Sequence, residues 1–212
     1  MAKRRTYHQH CGLARALDVL GERWTLLVLR ELLLGPRRYS DLLRSLEGIT
    51  TNLLAERLEH LVSEGLIERA ELPPPGRAQV YQLTARGAAV EPAILELGRW
   101  GSKLLEAPRR GDRRDPGWAL VSMKRRFRPG PLLSLGLKVD ERSFRLLGGE
   151  KLTIVEGELA GVEAVLELTG EAFFALFFQG AALGSLEREA RLRVQGDRAI
   201  ARAFLERLAN PV

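Results

Sequence analysis

Leucine sets the rhythm of the first half of the chain, in the groups Leu13, Leu17 and Leu20; Leu26, Leu27, Leu29, Leu32 and Leu33; Leu42, Leu43 and Leu46; and Leu54, Leu58 and Leu61. Spacings of three and four place each group on one side of a helix, so this half predicts a series of short amphipathic helices. Further on the period shortens. Residues 133–139, 151–155, 162–168 and 190–194 read as strands, with Asp140-Glu141, Gly148-Gly149 and Gly157 near turns. Two helical patterns interrupt them, an unusually apolar one over 171–179 and one over 197–208 that opens with Asp197 as a cap and keeps Ile200, Phe204 and Leu208 on one face. This succession of strands and helices predicts an α+β fold with an antiparallel sheet under helices. Between the halves, residues 107–117 hold two prolines, two glycines and clustered charge without apolar periodicity, which is linker composition. The expected organisation is a mostly α domain over 1–106, a linker over 107–117 and an α+β domain over 118–212.

Within the first half, the polar positions add a specific order. Ser40 can cap a helix over 41–46, Glu47-Gly48-Ile49 supplies a turn in which glycine is free to take a positive φ, and Thr50 or Thr51 caps the next helix. On that second helix Leu54, Leu58 and Leu61 form the buried stripe, while Asn52, Glu56 and Glu59 point away from it and Ala55 and Arg57 flank it. Gly65-Leu66-Ile67 then ends the helix and begins a strand. The return strand Gln79-Val80-Tyr81-Gln82-Leu83 leaves 73–78 as a stiff loop with Arg77 near its tip. Short helix, tight turn, second helix and basic hairpin is the order of a winged helix-turn-helix, whose outward N-terminal helical turn enters a DNA major groove.

Asn pairs bidentately with adenine, a Thr methyl meets a thymine methyl, and Arg reaches guanine or phosphate. Thr51 and Asn52 are therefore the expected base contacts. Glu56 would repel phosphates unless it accepts from a cytosine or pairs with Arg57, and Arg77 would sit beside a phosphate or in the minor groove. The candidate DNA-contacting set is Arg38, Tyr39, Ser40, Thr50, Thr51, Asn52, Arg57 and Arg77.

A net charge of +6 over 212 residues favours a polyanionic partner, here double-stranded DNA, but is too modest to prove one. No apolar run reaches the ~18 residues that span a bilayer, and no apolar stretch follows Lys3-Arg4-Arg5 to make a signal peptide, so no membrane partner and a cytoplasmic location are expected. The single cysteine excludes an intrachain disulfide framework. His8-Gln9-His10-Cys11 offers only three clustered metal ligands with no distant pair to complete a tetrahedron, so neither a metal site nor a cofactor is expected. Scattered carboxylates, a lone third histidine at His60 and the lack of a phosphate-cradling loop or nucleophile elbow argue against an enzyme. The non-enzymatic alternative is a lipid-carrying module whose winged helix serves assembly.

The first half resembles the HxlR family of winged-helix transcriptional regulators. The resemblance is carried by Cys11 with Ala14-Arg15-Ala16-Leu17-Asp18-Val19-Leu20-Gly21, by Arg23-Trp24-Thr25-Leu26-Leu27, by Gly35-Pro36-Arg37-Arg38-Tyr39-Ser40 and Gly48-Ile49-Thr50, and by Leu54-Ala55-Glu56-Arg57-Leu58 and Tyr81-Gln82-Leu83-Thr84. It implies a homodimer on a two-fold-related operator, with the dimer built from residues 6–20 and from 85–105, the latter carrying Val90, Ile94, Leu97, Trp100 and Leu104. Cys11 coincides with the family's N-terminal cysteine. It reads either as a small residue at the dimer interface or as a redox sensor, since a thiol at a helix start near basic residues has a lowered pKa.

The second half is similar to the sterol-carrier-protein-like (SCP2-like) domain appended to some such regulators. The carrying residues are Val162-Glu163-Ala164-Val165-Leu166-Glu167-Leu168-Thr169-Gly170, the phenylalanine-rich helix, Arg191-Leu192-Arg193-Val194-Gln195-Gly196-Asp197 and Phe204-Leu205-Glu206-Arg207-Leu208. That likeness implies a cavity for an apolar small molecule, with Phe173, Phe174, Phe177 and Phe178 as candidate ligand-binding residues. The alternative is that those rings only fill a core. A ligand that favours one arrangement of the dimer would shift operator binding by linkage.

Overall fold

The computed structural model describes residues 6–72, 77–106 and 111–208, and the chain divides into two compact units, Met1–Ile94 and Leu95–Val212. Lys3-Arg4-Arg5, the first residues of the wing loop (73–76) and the first half of the expected linker (107–110) lie outside the described residues.

The first unit contains α1 (Gly12–Leu20), α2 (Thr25–Leu32), α3 (Tyr39–Ser45), α4 (Thr51–Ser63), β1 (Ile67–Glu71), β2 (Gln79–Leu83), the single turn α5 (Ala85–Ala88) and the start of α6 (Glu91–Ser102). The second, third and fourth leucine groups supply the core, where Val28, Leu29 and Leu32 of α2, Leu42 and Leu46 at α3, and Leu54, Leu58 and Leu61 of α4 meet Ile49, Leu66 and Ile67, whereas Leu13 and Leu17 of the first group and Leu27 of the second are exposed. Each core side chain contributes roughly 1.5–3 kcal/mol of apolar burial. β1 and β2 pair antiparallel from Ile67↔Leu83 to Glu71↔Gln79. A third segment joins them, because Arg37 exchanges backbone bonds of 2.9 and 2.8 Å with Tyr81.

That bridge corrects the expected start of α3. Arg37 and Arg38 are held extended against the hairpin, Arg38 at φ −71° and ψ 155°, so the helix begins at Tyr39 and Ser40 lies inside its first turn. Arg38 is the N-cap residue and no side chain closes the cap. The next helix start follows the sequence closely: Gly48 turns the chain at φ +90°, and the Thr50 hydroxyl accepts from Leu53 N–H at 3.3 Å.

The second unit is a five-stranded sheet with helices on one face. Its strands are β3 (Leu133–Val139), β4 (Arg142–Gly148), β5 (Leu152–Glu156), β6 (Ala164–Leu168) and β7 (Leu192–Gly196), in the spatial order β5-β4-β3-β6-β7. The helices are α7 (Pro116–Met123), α8 (Gly170–Phe178), α9 (Leu183–Arg188) and α10 (Arg198–Leu208). Alternate strand residues, among them Leu135, Leu137, Phe144, Leu146, Ile154 and Leu166, are buried with Leu120, Phe173 and Phe204 from the helices.

The sheet is not wholly antiparallel, because β3 and β6 run parallel with Leu137 opposite Leu166. Since β5 already runs in the direction of β3, the seven residues between β5 and β6 must carry the chain back to the starting end before β6 can begin. Leu159 of this crossover packs on Gly136, where the methyl groups lie 3.3 Å from where a Cβ would stand. Alternation along a strand reports which face is buried, not the direction of its neighbour.

The end of the expected linker belongs to this unit. Asp115 caps α7, accepting from Gly117 and Trp118 N–H at 2.8 and 3.2 Å, with Pro116 in the first turn. Its other oxygen accepts from Arg142 at 2.6 Å, and Arg142 also grips Glu156 through bonds of 2.8 and 2.7 Å. Burial opposes the Arg142 charge, but the hydrogen bonds to Glu156 and Asp115 outweigh it and raise its pKa.

Candidate nucleic-acid interface and cavity

The apolar stripe of α4 is anchored in the first unit's core, so its polar side has one direction to face. Thr50, Thr51, Asn52, Glu56 and Glu59 are exposed along it. The first turn is fixed from outside the helix as well: the half-buried Tyr39 donates its hydroxyl to the Thr51 carbonyl at 2.7 Å, tying α3 to the start of α4. The exposed Thr51 and Asn52 side chains therefore stand on a turn braced by the Thr50 cap and by Tyr39. Such bracing holds donors and acceptors in place for base edges. Arg38 and Ser40 are exposed at the start of α3, and Arg77 is exposed where β2 leaves the wing loop.

Arg57 is placed differently from the expectation. It is buried, 8% exposed, and its guanidinium is directed inward. Its Nε donates to the Arg23 carbonyl at 3.3 Å, and its terminal nitrogens reach Glu22 at 3.4 Å and Glu56 at 3.2 Å. The carbonyl it holds precedes Trp24, whose backbone is left-handed at φ +79°, a costly conformation for a bulky residue. Arg57 thus clamps α4 to the strained α1–α2 connection rather than facing a groove. The signal was available: residue 57 lies three after Leu54 and four before Leu61, inside the buried stripe. The same contact answers the repulsion expected of Glu56, whose carboxylate is paired.

Sequence reasoning passed over two further arginines. Arg69 of β1 is exposed and lies 5.9 Å from the Tyr81 ring, giving the wing a second cation. Arg44 is exposed on α3 and pairs with Asp41. Neither carries a spacing signal; both depend on which face of its element is left open.

At the other end of the unit, Asp18 fixes the N-terminal segment. Its buried carboxylate accepts from Tyr7 N–H at 2.9 Å, Thr6 at 3.1 Å and Arg15 at 2.8 Å. The Tyr7 amide chiefly, then the Thr6 hydroxyl and the Arg15 charge, hold it below the usual carboxylate range against the opposing effect of burial. Cys11 is the N-cap residue of α1 and is exposed. Its sulfur closes no cap bond, yet the nearby amides of Ala14 and then Leu13 lower its pKa. Leu13 and Leu17 of α1 are 69% and 41% exposed, and Leu97, Trp100 and Leu104 at the end of α6 and just beyond are exposed in their turn.

In the second unit the four candidate phenylalanines separate. Phe173 is fully buried in the core, and Phe174 is half-buried with the Arg114 guanidinium 5.9 Å from its ring. Phe177 and the exposed Phe178 line a cavity of about 470 Å³, with Leu176, Gly180, Ala181, Leu183, Gly184, Arg202, Leu205, Glu206 and Leu208. Its walls come from α8, the α8–α9 turn, α9 and α10, and its two charged groups belong to α10.

Residues 19–109 match the family described as HxlR-like helix-turn-helix. A Synechocystis sp. protein named as an uncharacterized HTH-type transcriptional regulator is 40% identical over 97 residues, which cover 45% of this chain and 71% of that one. A Mycobacterium bovis protein with the same description is 42% identical over 97 residues, 46% of this chain but only 61% of that protein's length. The reduced form of the transcriptional regulator YodB from B. subtilis is similar at 29% identity and a TM-score of 0.40, covering 48% of this chain and 100% of that chain. These relatives are transcriptional regulators, not enzymes.

Proposed function

Because the chain belongs to the HxlR-like helix-turn-helix family, we propose that it is a sequence-specific DNA-binding transcriptional regulator that acts in the cytoplasm as a homodimer on a two-fold-related operator. The observation that carries this reading is the first turn of α4, where exposed Thr51 and Asn52 are braced by the Thr50 cap and the Tyr39 hydroxyl. Thr51 and Asn52 read bases, while Arg38, Ser40 and Arg77 position the duplex through phosphates. Asn52→Ala tests the assignment: it should cost about 1–3 kcal/mol of discrimination at one position of each half-site without changing stability. A variant that binds every sequence as wild type does would refute it.

The homodimer is supported by the exposed Leu13 and Leu17 of α1 and by the exposed Leu97, Trp100 and Leu104, apolar groups at helical spacing that stay exposed among the described residues. Leu13→Glu with Leu17→Glu should shift the protein toward monomer in sedimentation and weaken operator binding; a persistent dimer contradicts this interface.

For the second unit the reading is an SCP2-like domain whose cavity takes an apolar small-molecule effector. The mixed sheet with helices on one face and the cavity edged by Phe177 and Phe178 support it. Binding in that cavity should quench or shift the fluorescence of an apolar probe, and Phe178→Trp should report it. A bound molecule that leaves operator affinity unchanged at saturation would remove the effector role. A second input is favoured by the exposure and lowered pKa of Cys11, namely oxidation of its thiol. Oxidant titration of operator binding should distinguish wild type from Cys11→Ser, and equal responses would end that reading.

A further inference from the structure

Most of the positive charge of this chain lies outside its DNA reader. Residues 1–94 carry thirteen Lys and Arg against eleven Asp and Glu, a net +2 that rests on Lys3, Arg4 and Arg5 at the start of the sequence. Residues 111–128 carry six, Arg113, Arg114, Lys124, Arg125, Arg126 and Arg128, against Asp112 and Asp115, a net +4 of the whole chain's +6. Asp115 offsets little of this at the surface, being buried and paired with Arg142.

The fold gathers these cations rather than dispersing them. Arg113 and Arg114 precede α7, and Lys124–Arg126 form a short 3-10 turn after it. Arg114 lies 5.9 Å from the Phe174 ring, Arg126 lies 5.0 Å from the Phe178 ring, and those two rings are 5.8 Å apart on α8. The guanidinium groups of Arg114 and Arg126, from the two ends of α7, therefore border one aromatic strip; their sequence neighbours Arg113, 5.9 Å from the Trp118 ring, and Arg125 are both exposed. Burial chiefly, and then the charge of neighbouring Arg125, lowers the pKa of Arg126, so a like charge beside it adds to the cost of its burial. Crowding of this kind costs free energy in the unbound protein and is relieved by a polyanion.

We infer that this strip is a second nucleic-acid surface, in which Arg113, Arg114 and Arg125 contact phosphates of duplex DNA without regard to sequence. It supplies the larger share of the chain's electrostatic attraction to DNA, while the first unit supplies the discrimination. The inference rests on the reading of the first unit as a DNA binder. Guanidinium suits the role because it meets phosphate oxygens bidentately. A lipid surface fits less well, since an interfacial anchor needs a broad apolar face and Phe178 is the exposed ring of this strip.

The test compares the full-length wild type with the Arg113→Gln, Arg114→Gln, Arg125→Gln triple variant. Binding to a mixed-sequence duplex is followed by fluorescence anisotropy from about 50 to 200 mM salt. The variant should lose roughly tenfold or more in affinity at low salt, and the slope of log affinity against log salt should fall by about two to three. Arg125→Gln alone should lower the slope by about one, which keeps the test sound if the triple variant folds poorly. In contrast, Asn52→Ala should leave the slope unchanged. If wild type binds duplex and the slope is the same in both arginine variants, this surface is refuted and the reader stands. If wild type binds no duplex, the reader fails and this surface with it. If the variants lose binding to phosphatidylserine vesicles but keep duplex binding, the strip belongs to membranes and the inference is overturned.

Discussion

Two helices, one in each unit, begin alike and end differently. α4 starts at Thr50, whose hydroxyl accepts from Leu53 N–H, and α8 starts at Thr169, whose hydroxyl accepts from Ala172 N–H. After the cap, α4 alternates an apolar stripe with polar residues, so hydrophobic burial admits one rotation about its axis and leaves Thr51 and Asn52 outside. α8 is apolar almost throughout, so hydrophobicity alone does not choose which rings go inside. Its neighbours choose: Phe173 is fully buried, while Phe178 is 43% exposed at the cavity edge beside Arg126. Contrast along a sequence orients a helix; a helix without contrast is oriented by the packing and charges around it.

The largest effect that can break this comparison is on stability. Phe173→Ala should cost the second unit about 3–5 kcal/mol in denaturant unfolding, whereas Phe178→Ala should cost under about 1 kcal/mol. Equal costs would mean that α8 is not oriented as described. The same contrast on α4 lies between two polar residues. Arg57→Ala should lower stability by about 1–3 kcal/mol, by freeing the Arg23–Trp24 turn, and weaken all DNA sequences alike. Asn52→Ala should leave stability alone and act on one base position, read by binding to a panel of single-base variants. The caps make the smaller test: Thr50→Ala and Thr169→Ala should each cost roughly 1 kcal/mol, measured as a shift in thermal midpoint.

Two pH effects are smaller still. The Asp18 carboxylate is held below its ordinary range in the folded chain, so it stabilises the fold above the unfolded-state pKa. That contribution disappears as pH falls through the folded value. Acidification should therefore release the segment around Tyr7, seen as faster amide exchange there, and Asp18→Asn should release it already at neutral pH. Cys11 is likewise shifted downward, so its alkylation rate should rise at a lower pH than that of the same thiol in the unfolded chain.

Local rules made much of the first unit legible. The leucine period gave α2, α3 and α4, Gly48 gave the positive φ, Thr50 gave a cap, and the alternation of Gln79 to Leu83 gave β2. The start of α3 lies at Tyr39 rather than after a Ser40 cap because a non-local bridge from Arg37 to Tyr81, not the Ser40 hydroxyl, sets it. The chemistry of Arg57 suggests a guanine or phosphate contact from the flank of α4, although its spacing places it beside the buried leucines and the structure buries it. In the second unit β3, β5, β6, β7 and α8 are legible, but β4 (Arg142–Gly148) is not among the strands the pattern predicts, and the parallel β3–β6 pair is hidden as well, since direction depends on a crossover rather than on alternation. α7 was hidden in linker-like composition, although Asp115-Pro116 is a cap followed by a first-turn proline. The gathering of Arg114 and Arg126 on one strip could not be read at all, because two ends of a helix meet there on the rings of another.

Selection of bound DNA from a random pool by the purified protein, run beside Asn52→Ala, bears most directly on the role of α4. The wild type should enrich an inverted repeat whose half-site centres lie about one helical turn apart, roughly 34–36 Å, and the variant should relax one position in each half. No enrichment by the wild type, or an enriched site that Asn52→Ala leaves unchanged, would contradict a reader built on this turn.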